Sequence, residues 1–209
     1  MRRAIALLLV LAGIGTMVFL GYRVLDPFAS HRQHTLAAQL HRQWTPPHGV
    51  TRSSSPRGAT AAPEILHVAT GKPFAFIRIP AFGRRWAFTI VEGTGEAQLA
   101  TGPGHVTGTA LPGQPGSFAV AAHVLTAGNP FLHLKTLHAG DLVNVRTQHR
   151  LYVYRVYAKA RVRDTDVKVL NPQAGRPQVI TLITCDPAVL WSTPWRIIVW
   201  AALVLVTPR

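Results

Sequence analysis

From residue 64 onward the apolar residues come in short runs of strand length, most of them closed by proline or glycine, which leaves little room for helices. Phe74 to Ile79 stops at Pro80, and Trp86 to Val91 runs into Glu92-Gly93-Thr94-Gly95. Phe118 to Ala122 follows the Pro- and Gly-rich stretch Leu111 to Gly116, and Leu142 to Arg146, Leu151 to Val156, Val179 to Thr184 and Arg196 to Val206 complete the series. These runs are rich in β-branched and aromatic residues, so an all-β sandwich or barrel is predicted. Residues 197–206 are wholly apolar but too few to cross a bilayer as a helix, and they read as a buried central strand. One short helical segment is expected over Asn129 to His138, where Phe131, Leu134, Leu137 and His138 recur at helical spacing.

The chain ahead of this domain has a different character. Met1-Arg2-Arg3 precedes Ala4 to Gly21, eighteen residues whose only polar member is Thr16. As a helix this run spans roughly 27 Å, close to the thickness of a hydrocarbon core. The two leading arginines favour an inside N-terminus. No small-x-small cleavage site follows at Gly21-Tyr22-Arg23, so residues 1–25 are expected to form an uncleaved transmembrane signal anchor. Residues 26–63 read as a stem. Leu36, Leu40 and Trp44 predict a short amphipathic helix within Ser30 to Trp44, and the Pro- and Ser-rich Thr45 to Pro63 reads as a flexible linker. The globular domain is then residues 64–209. His31, His34, His41 and His48 lack zinc-site spacing.

The net charge of +14 points to anionic partners, yet it is spread between stem and domain and not gathered into one patch. On an outward-facing domain such charge suits anionic lipid or an anionic wall, and no nucleic-acid partner is expected. A single cysteine excludes a disulfide framework within the chain and any Cys-rich zinc site. Asp164 and Asp166 fall short of the oxygen ligands that calcium takes, so no metal is expected.

That cysteine, Cys185, ends the run Thr181-Leu182-Ile183-Thr184-Cys185, and Pro187 stops the strand just beyond it. Arg196 opens the next run, and a hairpin would bring the two side chains together. A guanidinium there would favour the thiolate and neutralise a developing oxyanion. His123 ends the run Phe118 to Ala122 and is the candidate proton carrier. His105, after a tight turn at Gly102-Pro103-Gly104, is a second candidate ranked behind it. Each residue also has a plain structural explanation, as a small buried thiol, a hydrogen-bonded imidazole or a solvated charge.

Thr181-Leu182-Ile183-Thr184-Cys185 resembles the TLxTC signature of sortases, the membrane-anchored cysteine transpeptidases of the Gram-positive surface. Arg196-Ile197-Ile198-Val199-Trp200-Ala201 resembles the family's arginine-bearing strand. Ile77-Arg78-Ile79-Pro80, Val91-Glu92-Gly93-Thr94, Gly102-Pro103-Gly104-His105 and Gly108 to Gly116 are similar to the class E branch of actinobacteria. The resemblance covers about residues 74–206 in motif order. It implies a closed β-barrel of about eight strands with short helices. It also implies cleavage of a Leu-Ala/Pro-x-Thr-Gly sorting signal between Thr and Gly, with Cys185 as nucleophile, His123 as acid and base, and Arg196 and Thr184 on substrate and oxyanion. The implied partners are secreted proteins with a C-terminal sorting signal, a peptidoglycan precursor or stem-peptide amine, and the cell membrane. No cofactor is implied.

The sequence departs from the pattern in three ways: Ala122 and Val124 flank the histidine in place of Gly and Arg, Asp186 follows the cysteine, and the loop from Cys185 to Arg196, with Trp191 and Trp195, is about two residues longer than usual. Asp26-Pro27-Phe28 is similar to the lid tripeptide of pilus-assembling sortases but reads as a membrane-proximal turn. A papain-like peptidase would place Cys before His, and a Cys-type L,D-transpeptidase would carry Ser-x-Gly-Cys. A non-catalytic, anchored envelope-binding module remains the alternative from a different class.

Overall fold

The computed structural model describes residues 31–45, 68–171, 175–186 and 193–208. The expected anchor, Asp26-Pro27-Phe28, most of the linker, Pro187 and Trp191 lie outside these residues. Among the described residues no helix is long and apolar enough to cross a membrane.

Eight strands run in chain order: β1 (Pro73–Arg78), β2 (Phe88–Glu92), β3 (Gly104–His105), β4 (Gly116–Ala121), β5 (Leu142–Arg146), β6 (Arg150–Arg163), β7 (Gln178–Cys185) and β8 (Trp195–Pro208). They close a barrel in the order β1-β2-β3-β4-β7-β8-β6-β5. The β2–β3 and β4–β7 pairs are parallel, and the other pairs are antiparallel. Strand alternation turns one face inward: Ile77, Ile90, Phe118, Val120, Val145, Tyr154, Ile180, Leu182 and Val199 fill a single buried cluster. Burial of each such side chain contributes about 1.5–3 kcal/mol. The all-β expectation and the strand count hold.

Local departures have physical reasons. Asn129 to His138 is not a helix; it holds only a 3₁₀ turn, Leu134–Thr136. Phe131, Leu134 and Leu137 are all buried, and their strict three-residue spacing suits 3₁₀ geometry better than α. β6 continues past Val156 to Arg163 through an irregularity at Val156/Ala158, its polar stretch still pairing with β8. β8 is buried to Ala201 but exposed at Val204, Leu205 and Val206, where β7 no longer pairs with it.

Residues 31–44 form a helix, α1, that docks on the barrel. Leu40 is buried, and His41 and Trp44 meet the Phe76 ring at 5.1 and 5.4 Å. Arg146 lies over both the Phe76 and Trp44 rings, at 4.8 and 5.6 Å. Near the start of α1, Gln33 Oε1 accepts the Thr89 amide at 2.7 Å while its Nε2 donates to the Thr101 carbonyl. Gly102 permits this approach: a Cβ there would collide with the Gln33 amide. A second short helix, α2 (Glu96–Leu99), lies in the crossover from β2 to β3.

Candidate active site

The sequence places Cys185 and Arg196 on two strands and His123 two residues past the end of a third, and the barrel order makes those strands neighbours. Cys185 and Arg196 are direct register partners across β7 and β8. The Asp186 amide donates to the Trp195 carbonyl at 3.0 Å, which makes Cys185–Arg196 the non-hydrogen-bonded type of pair, with Cα atoms about 4.5 Å apart. On the other side, β4 runs parallel to β7 with Ala121 opposite Ile183, and two further residues bring His123 beside Cys185. Ile180, Leu182 and Ile197 belong to the barrel core. Alternation therefore turns Cys185, Arg196 and His123 to the outer face, in the strand order imidazole, thiol, guanidinium.

Each group is only partly buried. Burial pushes the His123 imidazole below its ordinary value, because the charged form loses hydration. The Arg196 NH1 group donates to the Thr193 carbonyl and, at 2.9 Å, to the Trp195 carbonyl. Its NH2 group lies 3.6 Å from the Asp164 carboxylate. These contacts hold the guanidinium at the start of β8, the strand that pairs with the end of β7 where Cys185 sits.

Thr184 alternates to the barrel side. Its hydroxyl donates to the Ala122 carbonyl at 2.8 Å and is buried there. With the Ala122 amide donating to Ile183 O at 3.1 Å, this bond ties the chain just before His123 to the end of β7. Asp186 also lies on the face opposite Cys185, and Arg161 Nε meets its carboxylate at 2.6 Å. The anion that follows the cysteine is thus turned away from the thiol and paired.

His105 stands elsewhere. It is buried between Phe74 and Phe118, with Nδ1 2.6 Å from the Glu92 carboxylate and Nε2 3.1 Å from the Ala110 carbonyl. Both ring nitrogens are occupied, and the ring links β2, β3 and the Thr109–Ala110 turn. Arg161, and the pairing of Asp164 with Arg196, escaped the sequence reading, because only the β6–β8 and β7–β8 registers reveal which charges meet. Glu92, an acid ending an apolar run, was the one signal for the His105 pair.

A closed β-barrel with cysteine, histidine and arginine on adjoining strands is the scaffold of a β-barrel cysteine acyltransferase. A model of the sortase domain matches residues 77–204, and the chain belongs to the sortase family, whose members are cysteine transpeptidases. It is 35% identical over 109 residues to sortase SrtE1 of Streptomyces coelicolor, covering 48% of this chain and 30% of that protein. It is 24% identical to sortase D of Bacillus subtilis over 96% of this chain and 98% of the other. Among solved structures, sortase E of Streptomyces avermitilis shares 37% identity with a TM-score of 0.60, over 67% of this chain and 93% of that one. Sortase E1 of S. coelicolor, solved with a tripeptide in its active site, shares 31% with a TM-score of 0.61, over 68% and 94%. The class E resemblance holds against these relatives.

Proposed function

We propose that this sortase is a membrane-anchored transpeptidase that cleaves a Leu-Ala/Pro-x-Thr-Gly sorting signal between Thr and Gly and joins the protein to a cell-wall amine. The observation that carries the reading is the register that aligns His123, Cys185 and Arg196 on one face. The Cys185 thiolate attacks the threonine carbonyl carbon, and the tetrahedral oxyanion forms beside the Arg196 guanidinium. The carbon–nitrogen bond to glycine breaks as His123, in its protonated form, gives its proton to the departing amine. A thioacyl group remains on Sγ. The incoming amine then attacks the same carbon, His123 takes its proton, and the carbon–sulfur bond breaks to return the thiolate.

Thr184 acts in this account as a positioning residue, since its hydroxyl is spent on the Ala122 carbonyl. Ala4 to Gly21 serves as a single-pass anchor, with the N-terminus cytoplasmic and the barrel extracellular. The acceptor is a peptidoglycan stem-peptide amine or its lipid-linked precursor. Incubation of the chain with a quenched Leu-Ala-x-Thr-Gly peptide and hydroxylamine tests the reading. A threonine hydroxamate supports it; no cleavage of either the Ala or the Pro peptide overturns it and favours the envelope-binding module.

A further inference from the structure

α1 enters the fold at the barrel rim that carries Cys185. β1 ends there at Arg78, β2 starts at Phe88, β4 ends at Ala121 and β7 at Cys185. Gln33, in the first described turn of α1, bonds Thr89 and Thr101. Thr101 leads into Gly104, the register partner of Ala121, so this turn lies about two strand spacings, ~10 Å, from His123. The other end of α1, at His41 and Trp44, rests on Phe76 within β1. Only residues 22–30 separate the apolar run from His31. Fully extended they reach about 30 Å, so the tether of an anchored chain lets this rim reach the bilayer surface.

The same rim carries an unbalanced positive arc. The loop of residues 79–87, between β1 and β2, bears Arg84 and Arg85, both exposed, with exposed Arg78 at its base; exposed Arg32, on α1, donates to the Ala100 carbonyl ahead of β3. No Asp or Glu occurs in residues 31–45 or 72–91. Among the described residues none of these four arginines forms an ion pair. The loop is braced: Pro80–Phe82 is a 3₁₀ turn, Phe82 and Trp86 meet edge to face at 5.1 Å, and Trp86 packs on Phe88 at 5.2 Å. Arg78 NH2 donates to the Arg84 carbonyl at 3.2 Å. The charges are therefore presented on a fixed frame and lose little freedom on meeting a surface.

We propose that this loop docks on the anionic phospholipid headgroups of the membrane that holds the anchor, with Arg84 and Arg85 against phosphates, so that the Cys185 rim faces the bilayer. The inference rests on the anchoring reading of Ala4 to Gly21. Attraction to a charged leaflet acts within a Debye length, ~8–10 Å, and is worth roughly a five-fold gain in binding per arginine. The rim gains from it once the tether has let it reach the surface. The opposite rim also carries basic residues, Lys72, Arg146, Arg150 and Arg176, but Arg146 lies over the Phe76 ring and Arg176 over the Tyr157 ring, so those two are already engaged. Docking this way presents Cys185 to a lipid-linked acceptor at the membrane surface.

The test is amide hydrogen exchange on the full chain in nanodiscs of phosphatidylcholine, alone or mixed with phosphatidylglycerol. Amides of residues 79–87 should exchange about five-fold or more slowly in the anionic discs, with residues 147–149 at the opposite rim unchanged. The Arg84→Glu/Arg85→Glu variant should lose that protection while cleaving a soluble peptide at the parent rate. Equal exchange in both lipids, on a chain that resists a carbonate wash, overturns the docking and leaves the anchor standing. A chain that washes off both kinds of disc overturns the anchor and the docking with it. Protection that needs added teichoic acid in place of anionic lipid assigns the arginines to wall polymer and overturns the lipid reading.

Discussion

Arg161 holds the Asp186 carboxylate at 2.6 Å on the face of β7 turned away from Cys185. This pairing answers the question raised by an acid directly after the cysteine, where an uncompensated anion would oppose thiolate formation. Arg161→Ala should lower peptide cleavage about three- to ten-fold, while Asp186→Asn stays within about two-fold. The double variant should return to the Asp186→Asn rate. A double variant as slow as Arg161→Ala would mean that Arg161 acts by another route. Both partners reach solvent, so neither change should cost more than about 1 kcal/mol of stability by urea titration.

Arg196 is braced by Asp164 and by two carbonyls, those of Thr193 and Trp195. Arg196→Ala should reduce kcat/KM about 10²–10³-fold with an unchanged circular dichroism spectrum, the loss expected for an oxyanion donor. Asp164→Asn should cost less than about ten-fold, mainly in kcat, because it loosens the guanidinium without removing it. An Arg196→Ala enzyme within a few-fold of the parent would remove Arg196 from the mechanism.

Thr184→Val keeps the shape of the side chain but leaves the buried Ala122 carbonyl without its donor. A loss of about 1–3 kcal/mol is expected from the urea midpoint, together with slower turnover, because the segment that carries His123 is no longer tied to β7. Thr184→Ser should restore both. Unchanged turnover in Thr184→Val would show that this tie does not position the imidazole.

Burial lowers the pKa of His123 below its ordinary value. A base that binds its proton more weakly when folded favours the folded state as pH rises. The penalty for charging it is absent above its unfolded value, about 6.5, and stability is lost as pH falls below that point. In Cys185→Ala the His123 ring resonances should show a midpoint below about 6.5. A midpoint above that value would contradict the desolvated setting.

Much of the fold was legible because its signals are local. Strand-length runs, their turns and the motif order around Thr181 to Cys185 marked out the barrel before any pairing was known. What stayed hidden depends on register. Whether Asp186 threatens the thiol depends on which face of β7 it takes and on Arg161, a residue in a strand that pairs with β8. The docking of α1 was equally hidden, since Leu36, Leu40 and Trp44 predict an apolar helix face but not the Phe76 surface that receives it. Asn129 to His138 misled because spacing by threes fits both a helix face and a 3₁₀ turn, and Pro130 and the glycines at either end were the better guide.

The central claim is that Cys185 carries the acyl group. The direct measurement is the intact mass of the full chain after brief reaction with a Leu-Ala-x-Thr-Gly peptide and acid quench, followed by mapping of the adduct. The account predicts a mass gain equal to the peptide up to threonine, localised to Cys185 and absent in Cys185→Ala. Peptide cleavage that proceeds without an adduct, or that persists in Cys185→Ala, would contradict it.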